Sequence, residues 1–166
     1  MSRARKNLRA AIPVVIVVAL CLALRLFVFH LTRVEGSSMV STLNSGDLAI
    51  VTRLDYIWGQ PRRGDVVECR FPGRDGSYIK RVIGLPGETV EIIGGQTVID
   101  GAPLSEPYAT GPSEDYRAEL GDEEYLVLGD NRAESYDSRA EDMGMLHRED
   151  FLGRVRWALW PFRNID

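Results

Sequence analysis

Four basic residues, Arg3, Arg5, Lys6 and Arg9, open the chain, and an apolar run follows: residues 10–24 carry no charge, and 26–29 extend the run past Arg25. Continued to Leu31, it would make a helix about 33 Å long, enough to cross a bilayer. From Asp47 onward the pattern changes to short runs rich in Val, Ile, Tyr and Leu, set between Gly, Pro and Asp, over residues 48–54, 65–71, 78–85, 89–93, 96–100 and 124–128. Runs of that length and composition predict strands, and hence a mostly β, antiparallel domain. Gly94-Gly95 between two runs is a two-residue hairpin signal. Residues 102–121, acidic and poor in large apolar side chains, read as a surface excursion. The pattern therefore predicts a basic tail over 1–9, a transmembrane anchor over 10–31 and a β-rich domain over 32–166.

Charge gives the anchor a direction. Residues 1–34 hold six basic and no acidic residues, +6, while the other 14 basic residues against 24 acids leave −10 for the rest. A basic cluster before the apolar run and none of similar density after it places the N-terminus in the cytoplasm and the acidic domain outside, in a cell membrane crossed once. A cleaved secretory peptide is the competing reading. It is disfavoured because Phe27-Val28-Phe29-His30-Leu31 follows the run where a small-x-small cleavage site would stand. Arg25, toward the outer end, reads as an interfacial anchor whose long stem lets its charge reach water.

An acidic domain is a poor match for nucleic acid, whose phosphates require a basic surface. Cys21 and Cys69 lie in the apolar run and in a strand-like run, which implies no disulfide framework. Neither they nor His30 and His147 have the short paired spacing of a metal site, so neither metal nor cofactor is expected.

Three clusters carry candidate chemistry: Val34-Glu35-Gly36-Ser37-Ser38-Met39, the run from Tyr78-Ile79-Lys80-Arg81 to Leu85-Pro86-Gly87, and Gly129-Asp130-Asn131-Arg132 followed by Ser135, Asp137, Ser138 and Arg139. Each has an ordinary reading as a turn, a strand exit or a solvated loop. Lysine usage singles out the second. Of 20 basic residues only Lys6 and Lys80 are lysine, and Lys80 stands inside an apolar strand pattern. Lysine can lose its proton when buried; arginine cannot. Neither histidine sits in a setting suited to a triad, so a serine activated here would depend on lysine, an accepted form of the same logic.

In order and composition these clusters resemble bacterial type I signal peptidases, in the compact form of Gram-positive members, and the resemblance runs along nearly the whole chain. It implies a signal-peptidase-like β domain and a serine endopeptidase that removes signal peptides from exported precursors at the outer face of the cytoplasmic membrane. It implies Ser38 as nucleophile and Lys80 as general base, Ser135 as a hydroxyl orienting the lysine, Asp137 with Arg139 as a supporting ion pair, and the Ser38 amide as an oxyanion donor. Small substrate side chains would enter shallow pockets for which Val34, Met39, Leu43, Tyr78 and Ile79 are the candidates. Partners would be signal peptides and the lipid bilayer. Ser38 Oγ is expected within roughly 2.6 to 3.2 Å of Lys80 Nζ. The chain departs from the family pattern at Ser41, where proline is common, at Glu88, where aspartate is usual, and at Gly36, where some members carry a hydroxyl. Two further readings stay open: a related Ser-Lys processing peptidase with a dedicated substrate, and a tethered β domain that binds partners without catalysis.

Overall fold

The structure, a computed structural model, describes residues 12–22, 28–160 and 162–165. The basic tail over 1–9, Arg25 and parts of the expected anchor lie outside the described residues. Residues 12–22 form helix α1, apolar on every side and exposed, as at Val14, Ile16 and Leu20. Among the described residues no helix is long and apolar enough to cross a membrane. The expected helical run also ends sooner than Leu31. Strand β1, Phe29–Arg33, pairs antiparallel with β2, Leu48–Thr52, over five residues, and His30 and Thr32 face inward while Phe29, Leu31 and Arg33 face out. A ladder that satisfies the backbone from Phe29 onward leaves no i to i−4 bonds for a helix there, so the β-sheet structure begins at Phe29, ahead of residue 32.

After a short helix α2, Asp55–Trp58, the chain lays down β3, Val66–Cys69, and β4, Tyr78–Gly84, then β5, Thr89–Ile93, and β6, Gln96–Ile99. There follow β7, Ala102–Pro103; β8, Tyr116–Glu119; β9, Leu126–Leu128; β10, Phe151–Trp160; and β11, Phe162–Asn164. The larger sheet runs β1-β2-β10-β3-β4-β9 with β11 on β10, and the smaller runs β7-β6-β5-β8; the strand pairs are antiparallel. Gly94 and Gly95, both at positive φ, close the β5–β6 hairpin, as a two-residue turn of that kind requires.

Two expectations need correction. Residues 102–121 are more than an excursion, because β8 within them pairs with β5 and turns Tyr116 and Ala118 onto a core cluster built on Ile83, Val90 and Leu126. The longest strand, β10, falls in none of the expected runs. Its register against β2 shifts twice, between Val155 and Trp157 and between Ala158 and Trp160. Bulges of that kind break the in-out alternation by which strands are read. A second cluster, with Val34, Met39, Leu43, Val66 and Val155, lies beneath the segment that carries Ser38.

Candidate active site

Ser38 sits on a tight turn between β1 and β2. Gly36 enters it at φ +87°, Val40 N donates to Ser37 O at 3.2 Å, and Thr42 N and Leu43 N both donate to Met39 O at 2.8 Å. Met39 and Leu43 are buried, and they peg the turn to the core while Ser38 stays half-buried. A second segment fixes the turn from outside: Asn131 N donates to Ser38 O at 3.0 Å and Asn131 Nδ2 to Ser37 O at 3.2 Å.

Lys80 comes from the middle of β4, opposite Val67 of β3, and is 2% exposed. Its Nζ donates to Ser135 Oγ at 3.1 Å. Burial, which penalises the ammonium, pulls its pKa below the ordinary lysine value, and the nearby Asp137 carboxylate partly opposes the shift. The hydroxyl that holds Lys80 lies next to the serine turn: a Cβ on Gly129 would overlap both Ser135 Oγ and the Ser38 carbonyl oxygen. Contrary to expectation, Ser38 Oγ and Lys80 Nζ are not hydrogen-bonded among the described residues. The lysine amine is drawn to the Ser135 hydroxyl, and hydrogen bonds of catalytic groups commonly tighten only with substrate in place.

Asp137 and Arg139 form an ion pair, with Arg139 Nε donating to Asp137 Oδ1 at 2.8 Å and Nη2 to Oδ2 at 3.0 Å. Asp137 Oδ2 also accepts Gly129 N at 3.0 Å, and Arg139 Nη2 donates to Arg132 O at 2.9 Å and Ser135 O at 3.3 Å. The pair thereby holds the loop that carries Ser135. Of the apolar candidates, Val34, Met39 and Ile79 line a groove of about 320 Å³ together with Ser38, Thr32 and Ser77. Leu43 is buried beneath it, and Tyr78 points away, packed edge-on against Phe71 with ring centroids 5.4 Å apart.

Sequence reasoning gave no role to Arg81 and Asp130, which join the parts. Arg81 Nε donates to Asp130 Oδ1 at 2.8 Å and Nη2 to Oδ2 at 2.7 Å, and Nη2 also donates to Thr42 Oγ1 at 3.2 Å. Thr42 in turn donates to Asp130. A buried fork of this geometry ties the lysine strand, the serine turn and the loop after β9 into one unit. Both residues stand in clusters visible in the sequence, but nothing local links positions 49 apart.

A half-buried hydroxyl at the end of an open groove, beside a buried amine with a lowered pKa, can carry acyl transfer without histidine. Chemistry of that kind belongs to the serine peptidases. Comparison with known proteins supplies the family. The model of "Signal peptidase, peptidase S26" matches residues 7–160. Signal peptidase I of Leptolyngbya laminosa is 38% identical, with 89% of this chain covering 77% of that one. Signal peptidase I S of Bacillus subtilis is 32% identical, with 99% of this chain covering 95% of that one. The crystal structure of a signal peptidase I from Enterococcus faecalis superposes with a TM-score of 0.52 at 31% identity, over 57% of this chain and 96% of that one. The chain belongs to the signal peptidase family, peptidase S26: serine proteases that cleave signal peptides from preproteins.

Proposed function

We propose that the chain is a membrane-bound signal peptidase I that cuts N-terminal signal peptides from exported precursors at the outer face of the cytoplasmic membrane, with Ser38 as nucleophile and Lys80 as general base. The observation that carries the reading is the burial of Lys80 against Ser135, beside the serine turn. Neutral Lys80 takes the Ser38 proton as Oγ attacks the scissile carbonyl, and the Ser38 amide helps stabilise the oxyanion. Collapse of the tetrahedral intermediate breaks the peptide bond, the lysine proton goes to the leaving amine, and an acyl-enzyme remains. Water deprotonated by Lys80 then hydrolyses that ester and releases the signal peptide. Ser135 orients Lys80, and the Asp137–Arg139 pair holds Ser135.

The substrate runs extended through the groove between the segment before Ser38 and the start of β4, its register fixed by main-chain bonds. Val34, Met39 and Ile79 are proposed to receive the small residue that supplies the scissile carbonyl.

Residues 10–28 form the proposed anchor, with the N-terminus inside the cell. An all-round apolar α1 supports lipid contact. So does the outer face of the larger sheet, where cross-strand rows align Leu31 with Ile50 and Trp157, and Arg33 with Leu48 and Trp160. Exposed tryptophans on an apolar face suit a bilayer interface. The test is to incubate the detergent-solubilised chain with a secretory precursor and sequence the new N-terminus. Cleavage at the end of the signal peptide, lost in Ser38→Ala, is the expected result; a precursor left intact by a folded wild-type protein would overturn the reading.

A further inference from the structure

Every residue of β3 is buried, yet one of the four is Glu68, between Val67 and Cys69. A buried carboxyl costs stability unless it is paired, so its partners tell what it is for. His30 Nε2 from β1 bonds Glu68 Oε2, Ser77 Oγ donates to Oε1 at 2.7 Å, and Thr32 Oγ1 reaches the same oxygen at a longer 3.5 Å. Thr32 and Ser77 are the facing walls of the groove that ends at Ser38.

The two walls change character along their length. On one side the positions run from buried Val34 to half-buried Thr32 and His30; on the other, from half-buried Ile79 to exposed Ser77. Glu68 pairs with Ile79 across the β3–β4 ladder, so it lies on the face beneath the groove. Near Ser38 the groove is apolar; one step further, about 7 Å away by strand spacing, it is lined by hydroxyls above a carboxyl. That step equals the spacing of alternate side chains in an extended peptide. Because Ser77 spends its proton on Glu68, and Thr32 more weakly so, their oxygens are left to offer lone pairs to the groove.

We propose that Glu68 makes the subsite two residues upstream of the scissile-carbonyl residue a hydroxyl-accepting one, so that the enzyme cleaves precursors with serine or threonine there in preference to valine or leucine. This rests on the reading of the groove as the signal-peptide site. Aliphatic substrates would cover the Ser77 and Thr32 oxygens without pairing them, which is the arrangement by which a polar site rejects an analogue lacking the hydroxyl. Glu68 acts through Ser77 and Thr32 and is a positioning residue.

The experiment measures kcat and KM of the full chain in detergent on precursor peptides that differ only at that position, as Ser, Thr, Val or Leu. Wild type should prefer Ser and Thr over Val in kcat/KM by on the order of tenfold. Glu68→Val and, as a milder change, Ser77→Ala should bring that ratio to about one or below while still cleaving the Val peptide. A general structural weakening would lower all four peptides together. Equal cleavage of Ser and Val peptides by wild type, or an unchanged ratio in both folded variants, would overturn the inference and leave the enzyme reading standing. Cleavage of none of the peptides by folded wild type would overturn the enzyme reading itself and this inference with it.

Discussion

Lys80 carries a penalty at neutral pH that most lysines do not, because burial disfavours its ammonium. With the folded pKa below that of the unfolded chain, the unfolded state binds more protons between the two values. Stability therefore rises with pH across that window and the penalty is fully present below it. Lys80→Met, which removes the charge and keeps the length, should make the protein more stable near neutrality and erase that slope; urea unfolding at a series of pH values measures both. If Lys80 is the base, kcat/KM of the wild type should rise with pH along a limb whose midpoint lies below the ordinary lysine value, since only a neutral amine can accept the serine proton. Gly129 is constrained from both sides, by Ser135 Oγ and by the Ser38 carbonyl. Gly129→Ala should cost about 1 to 3 kcal/mol by overpacking and lower kcat well beyond any change in KM, by separating the Ser135 hydroxyl from the serine turn. Stability measurements and peptide kinetics on the same sample decide it.

Individual elements place these residues by a shared buried ion pair more than by their own propensities. Arg81 on β4 and Asp130 after β9 are both buried, and removing one partner of such a pair leaves the other charge uncompensated, at about 3 to 5 kcal/mol. Asp130→Asn is expected to lower the denaturation midpoint correspondingly and to slow cleavage, because Thr42 and the serine turn lose their tie to β4. A variant with native stability and rate would show that the tie is dispensable. Strands such as β4 and β5 were legible because they are short, apolar and bounded by turn residues, and the Gly94-Gly95 hairpin was legible from its φ requirement. β10 was hidden by its bulges, and β8 by the acids around it. β1 looked helical because an apolar run that leads into a strand cannot be told by composition from one that stays helical. Within the site, the three clusters stood out by residue type, while the Arg81–Asp130 link, the packing of Tyr78 on Phe71 away from the groove and the burial of Leu43 depend on pairings across the sheet that no local pattern encodes.

At the scale of the whole molecule, the groove, the apolar sheet face and α1 all bear on how an external domain would work next to a bilayer. In a chain begun at Val28, so that the proposed anchor does not itself hold it to vesicles, replacing Trp157 and Trp160 with Ser should weaken binding in flotation while leaving cleavage of a soluble peptide near normal; an unchanged flotation profile would rule out that face as a lipid contact. Arginine in place of Lys80 would leave a guanidinium permanently charged in a dry site, the position being 2% exposed, so Met is the better replacement. The direct measurement is single-turnover cleavage of a secretory precursor by wild type, Ser38→Ala and Lys80→Met, with thermal midpoints taken on the same preparations. If Lys80 is the base, both variants are folded and both lose several powers of ten in rate, with Lys80→Met melting at or above the wild-type temperature. Cleavage by folded Lys80→Met at a rate near that of wild type would contradict the account, since it would mean that the Lys80 amine does not take the Ser38 proton.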